Sequence, residues 1–231
     1  MAAPGTSIHR GESFAVNARL RLGLGFLRRA LAGVAACLLL MALSGCLTDG
    51  SIPVGGGGST GSVRGVVVFA EDPDAPLAGA RVSLRTPGGL PYRTTTDDEG
   101  RFEVENVPKG TLEATFEGAG RLPVRVFVET DFGSFSTIAV ALAPAHLGID
   151  DVAGVAVTPQ DVKVRVGESV PFQVSISGGV PVRKVPTWIV EGGIGSIDAH
   201  GRFRALRAGT GTVRAVAGNF QDSARVTVLA P

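Results

Sequence analysis

Beyond Ser62 every apolar or alternating run ends within four to eight residues at a cluster of turn-forming residues, a limit that excludes long helices and leaves short strands. One group of runs is Val63–Ala70, Ala80–Leu84, Arg101–Val104, Leu112–Phe116, Leu122–Val128 and Ser136–Leu142. A second is Val155–Thr158, Val162–Val166, Ser169–Ser175, Pro186–Val190, Gly211–Val216 and Ser223–Leu229. In the first group Asp72-Pro73-Asp74, Pro87-Gly88-Gly89, Asp98-Glu99-Gly100 and Pro108-Lys109-Gly110 supply turn chemistry. The expected fold class is all-β, two tandem small antiparallel β-sandwiches. Gly100 and Gly201 are expected at the positive-φ positions of hairpin turns. Phe102, Phe116 and Phe127 read as core. Trp188, the single tryptophan, lies between Thr187 and Ile189 and reads as a ring buried between two sheets, with sugar stacking as the alternative.

The first forty-six residues follow a different logic. Arg28-Arg29 precede Ala30–Ala42, an uncharged run of thirteen residues, too short to span a bilayer permanently. Leu43-Ser44-Gly45-Cys46 then closes it. This segment resembles the bacterial lipoprotein signal, the lipobox. The resemblance implies that the Cys46 thiol receives diacylglycerol, that residues 1–45 are removed, and that the protein is held in the bacterial cell envelope. Leu47, rather than an acidic residue, favours the outer membrane within that resemblance. An ordinary leader with an incidental cysteine is the alternative. Residues 1–18 are more polar than such leaders, which points to a later translation start, such as the codon for Val16. Residues 46–62, rich in glycine and serine, read as a coil with a reach of roughly 20–25 Å.

The chain carries a net charge of +1, but residues 46–231 hold 17 basic and 20 acidic side chains, a net −3. That balance excludes nucleic-acid binding driven by charge. Cys37 and Cys46 are the only cysteines, so processing at Cys46 leaves no intrachain disulfide. Charge divides between the groups of runs: 8 basic and 12 acidic residues over 63–143, 9 and 5 over 152–229. Arg202, Arg204 and Arg207 fall close together, either as a solvated face or as a contact for an anionic surface such as lipopolysaccharide or an acidic polymer.

Four blocks in order, Gly65-Val66-Val67, Pro76 to Val82, Thr96 to Phe102 and Val107-Pro108-Lys109-Gly110, resemble the carboxypeptidase regulatory-like (prealbumin-like) domain, with Leu112 where many members carry Tyr. The resemblance implies a carbohydrate-binding-like fold class. Val155 to Pro159, Val166-Gly167-Glu168, Thr187 to Val190, Ser196 to Phe203, Ala208 to Val213 and Ala224 to Val228 resemble the bacterial immunoglobulin-like domain, group 2, of intimin- and invasin-type surface proteins. The expected organisation is a signal peptide over 1–45, a tether over 46–62, one sandwich over 63–143, a linker over 144–151 and a second sandwich over 152–229.

Residues with catalytic or ligand chemistry stand in unsuitable contexts. Gly57-Gly58-Ser59-Thr60-Gly61 has the form of a nucleophile elbow without the flanking strand and helix that would strain the serine outward. No lysine follows the glycines as a phosphate loop requires. Asp97, Asp98 and Glu99 lack the later ligands of a calcium loop and read as a solvated turn. His146 and His200 have no cysteine partners for zinc. No cofactor or metal is expected. Tyr92 is the candidate glycan contact. The expected role is a non-enzymatic, lipid-anchored surface, adhesion or scaffold protein held to the membrane at Cys46, with an unidentified protein or glycan partner. A carbohydrate-binding lipoprotein that assists a separate hydrolase is the alternative.

Overall fold

A computed structural model of the chain describes residues 60–89, 91–147, 151–178 and 185–231. The leader, the lipobox residues Leu43, Ser44, Gly45 and Cys46, and most of the tether lie outside the described residues. What is described is all-β, with seventeen strands and one 3-10 turn. The strands of the first half are β1 (Thr60–Phe69), β2 (Asp72–Pro76), β3 (Arg81–Arg85), β4 (Tyr92–Thr95), β5 (Arg101–Pro108), β6 (Gly110–Glu117), β7 (Val124–Thr130) and β8 (Phe135–Leu142). Those of the second half are β9 (Val152–Thr158), β10 (Asp161–Arg165), β11 (Ser169–Pro171), β12 (Gln173–Gly178), β13 (Thr187–Glu191), β14 (Gly195–Ile197), β15 (Arg202–Ala205), β16 (Gly209–Ala217) and β17 (Phe220–Leu229).

The sandwiches share a layer. One eight-stranded sheet runs β10-β17-β16-β13-β8-β1-β2, with β5 paired to β1. Its middle joint is the antiparallel pairing of β8 with β13, in the register Trp188↔Ala139, Ile189↔Ile138 and Val190↔Thr137. Strand alternation then sends side chains of both strands into two different cores. Ile138, Val140, Leu142 and Ile189 enter the first core with Leu84, Leu112 and Phe116. Ala139, Trp188 and Val190 enter the second with Phe172, Phe203 and Val213. The sheet β4-β3-β6-β7 covers the first core, while the β11-β15-β14 and β12-β9 sheets close the second.

Several local details depart from what the residues suggested. Asp72-Pro73-Asp74, expected as a turn, begins β2, an edge strand set against β1 at Val68↔Pro76 and Phe69↔Asp72 with a register shift between. An edge tolerates prolines because no neighbour needs their missing donor. The sandwiches are not purely antiparallel: β1 runs parallel to β8, and β10 parallel to β17. The run Ser169–Ser175 splits into β11 and β12 in different sheets, and between them the Phe172 N–H donates to the Gly201 carbonyl at 2.8 Å. Phe127 is not core. It stands 57% exposed because β7 alternates, with Val126 and Val128 inward and Arg125, Phe127 and Glu129 outward. Gly100 and Gly201 have φ of 70° and 81°, as their turns require.

Candidate functional site

The seam between the sandwiches is where side chains from distant parts of the sequence converge. On the first-core face of the shared sheet, β7 presents its outer edge to the second sandwich. The Glu129 N–H donates to Glu191 Oε1 at 2.9 Å, and Arg214 Nη2 donates to the Phe127 carbonyl at 2.7 Å. The same Arg214 nitrogen stands 2.7 Å from Glu191 Oε1, while Thr212 Oγ1 donates to Glu191 Oε2 at 3.3 Å and Arg214 Nη1 to Gln221 Oε1 at 3.0 Å. A small cleft of about 260 Å³ beside this pair is lined by Thr111, Phe127 and Ser223 among others. Apart from the buried Arg214 Nε, which has no hydrogen-bond partner among the described residues, the ionic groups there engage one another and backbone, so the cluster acts as a clamp on the seam.

The opposite face carries a larger groove, about 600 Å³, bounded by Arg64 and Val66 of β1, Thr95 of β4, Arg101 and Glu103 of β5, Thr137 of β8 and Ser196 of β14. Thr137 Oγ1 donates to the Gly195 carbonyl at 3.3 Å and fixes β14 over β8. At the entrance to β8 the Phe135 ring has the Arg64 guanidinium 4.0 Å from its centroid and that of Arg207 at 5.6 Å. One cation comes from each sandwich.

The residues singled out from sequence fall in three places. Tyr92 is half-buried on β4, its ring packed against the first core. Asp97 Oδ1 accepts the N–H groups of Glu99 at 3.1 Å and Arg101 at 2.7 Å, which holds the Asp97–Gly100 turn. Among the described residues no group of three or more His, Cys, Asp or Glu side chains is placed to hold a metal. His200 is exposed, and its Nε2 lies 2.8 Å from Asp74 Oδ1 on β2, another link across the seam. Arg202 and Arg204 are exposed on β15, alternating with buried Phe203 and Ala205, while Arg207 reaches Phe135. Sequence reasoning did not find Arg64, Phe135, Glu191 or Arg214. Their significance depends on the β8–β13 joint, which brings together residues up to about 150 positions apart.

Carboxypeptidase regulatory-like domains match residues 62–177 of this chain. The chain belongs to that family. Bacterial Ig-like domains of group 2 match residues 151–228, so the two matches overlap over β9 to β12. In the structure Val157 of β9, Val164 of β10 and Phe172 pack in the second core, with the Ig-like part of this carboxypeptidase regulatory-like protein. No curated protein matches the chain. Among solved structures it is similar to catechol 1,2-dioxygenase from Pseudomonas arvilla C-1, at 14% identity and a TM-score of 0.30 over 42% of this chain and 55% of that one. It is also similar to the Bacillus anthracis TIE protein, at 15% identity and a TM-score of 0.33 over 75% of this chain and 33% of that one. A streptococcal ancillary pilin is similar at 16% identity and a TM-score of 0.30 over 74% and 62%. The chain thus spans about half the length of that dioxygenase and a third of the TIE protein. Likenesses this low carry no functional argument.

Proposed function

We propose that the protein is a non-enzymatic, lipid-anchored protein of the outer membrane that displays its fused sandwiches for adhesion or scaffolding. The observation that carries this reading is Leu43-Ser44-Gly45-Cys46 at the end of an uncharged apolar run that follows Arg28-Arg29. Lipid on Cys46 binds the bilayer by roughly 0.8 kcal/mol per buried CH₂, and two or more chains make the attachment stable. The body beyond the tether suits presentation. Its sandwiches share one sheet, and its matched families are β-sandwich modules.

Growth with a labelled fatty acid tests the anchor. The wild-type chain is expected to take up label and partition with membranes, and Cys46→Ser to do neither. A Cys46→Ser protein that remains membrane-bound, or is cleaved at the same bond, overturns the reading.

A further inference from the structure

We propose that the Phe135 end of the seam binds an acidic polysaccharide, with Arg64 of the first sandwich and Arg207 of the second engaging neighbouring anionic groups of one chain. The argument begins with how differently the arginines are used. Arg81, Arg121, Arg125 and Arg214 are each ion-paired with a glutamate. Arg64 stands opposite Glu103 in the β1–β5 register, the usual geometry for a cross-strand ion pair, yet makes no salt bridge with it. Nor does Arg207 have a carboxylate within salt-bridge distance among the described residues. Both guanidinium groups lie instead against the one ring of Phe135, within 4.0 and 5.6 Å of its centroid. Stacking on an aromatic face fixes a guanidinium while leaving its N–H edge free to donate, so less entropy is lost when an anion arrives.

Two like charges held over one ring repel, and an anionic ligand between them relieves that repulsion. Gly193, with φ of 65°, makes the arrangement possible. A Cβ at that position would stand within van der Waals overlap of both Arg207 Nη2 and Ser134 Oγ.

The adjoining groove identifies the class of ligand. Its walls offer the hydroxyls of Thr95 and Ser196, the guanidinium of Arg101 and the carboxylate of Glu103. Val66, Phe102 and Ile197 also line the groove, and a sugar chain, with hydroxyls on its ring edges and C–H groups on its faces, matches such a mixed wall. Glu103 and Asp97 confine the anionic groups to the Phe135 end. Because Arg64 and Arg207 come from different sandwiches, the site exists only where β8 and β13 are paired.

The site gives the displayed body of the preceding section a ligand and rests on that reading for its setting. Binding is measured on the full chain in detergent, without a bilayer, so failure of the anchor and failure of the site are separate results. The probes are polygalacturonate oligomers, dextran sulfate oligomers and neutral dextran, followed by titration calorimetry. Both acidic probes are expected to bind, more weakly as salt rises. Neutral dextran is expected to be silent. Arg64→Ala and Arg207→Ala should each weaken binding about tenfold or more, with thermal unfolding near that of the wild type. An Arg81→Ala, Arg125→Ala double variant removes the same charge from the outer face of the first sandwich and should leave affinity unchanged. Equal loss in that control, undiminished binding by an Arg64→Ala, Arg207→Ala double variant, binding of neutral dextran, or silence of both acidic probes overturns the proposal.

Discussion

Arg214 and Glu191 stand 2.7 Å apart with side chains only 16% and 15% exposed, and each also holds the backbone of a strand from the other sandwich. Glu191 accepts the Glu129 N–H as a neighbouring strand's carbonyl would, and Arg214 donates to the Phe127 carbonyl as a strand's N–H would. The outer edge of β7 is thereby capped by an ion pair. Exposed edges are sites of unwanted pairing, and this cap covers one while tying the two sandwiches together.

Removing one member of this pair leaves the other charge partly buried without a counter-ion. Arg214→Ala is expected to cost about 3 kcal/mol, measured by chemical denaturation. An Arg214→Met, Glu191→Leu double variant should lose clearly less than the sum of the singles, because apolar replacements remove both charges together. Additive costs would show that the pair is not coupled.

The shared sheet makes a second expectation about cooperativity. Trp188 is the sole tryptophan and sits at the β8–β13 joint, so its fluorescence reports the seam, whereas circular dichroism reports every strand. The two probes should give coincident transitions. Ile189→Ala removes a fully buried side chain from the first core although it lies on a strand of the second half, and should cost about 2–4 kcal/mol in both signals. A wild-type transition that splits in two, or an Ile189→Ala effect confined to one probe, would disprove coupling across the joint.

How much of this was legible from the residues depends on which kind of signal carried it. Turn glycines such as Gly100 and Gly201 declare themselves locally, because few other residues adopt positive φ. Burial on one face is also local, as Val82 and Leu84 on β3 show by alternating with Arg81, Ser83 and Arg85. Phe127 misled because its bulk suggested core, whereas its place in the period of two puts it outside.

The joint left a weaker trace. Strands β8 and β13 are buried without a break, over Ser136 to Leu142 and over Thr187 to Val190. Continuous burial of this kind means that both faces are covered, which marks an internal strand but does not name its neighbour. The Phe135 site inherits that difficulty. Nothing near Arg64 in sequence points to Arg207, and the candidate aromatic with a visible polar setting, Tyr92, packs on the first core.

Local backbone geometry makes a paired test at two glycines. At Gly100, φ is 70° and a Cβ would stand 2.5 Å from the Val67 carbonyl oxygen, whereas at Gly120, with φ of 68°, nothing lies within 4 Å. Gly100→Val combines a strained conformation with a clash against backbone and should cost about 3 kcal/mol or more. Gly120→Ala should cost about 1 kcal/mol, from conformation alone. Thermal unfolding of the two variants measures the difference, and equal losses would refute the close approach of β1 to the Gly100 turn.

Acid sensitivity has an identifiable source at Asp222. Its carboxylate accepts the Val157 N–H at 2.8 Å, the Ser223 N–H at 2.8 Å and Gln160 Nε2 at 2.9 Å, which joins β9 to the start of β17. The Val157 bond is the chief reason that its pKa lies below the ordinary aspartate value, with burial opposing it and the Ser223 and Gln160 bonds adding to it. A depressed carboxyl stabilises the fold fully above its unfolded pKa of about 3.9. That contribution is lost as pH falls through the lower folded-state value. Asp222→Asn, which keeps one acceptor and loses the charge, should therefore be less stable by about 1 kcal/mol at neutral pH after allowance for solvent screening. Glu71 and Asp131 are also held low, but they are present in both proteins and drop out of the comparison. The gap between wild type and variant should narrow once pH falls below about 4, followed by denaturant titration at successive pH values. A gap that stays constant down to pH well below that value would show that the charge on Asp222 contributes nothing to joining these strands.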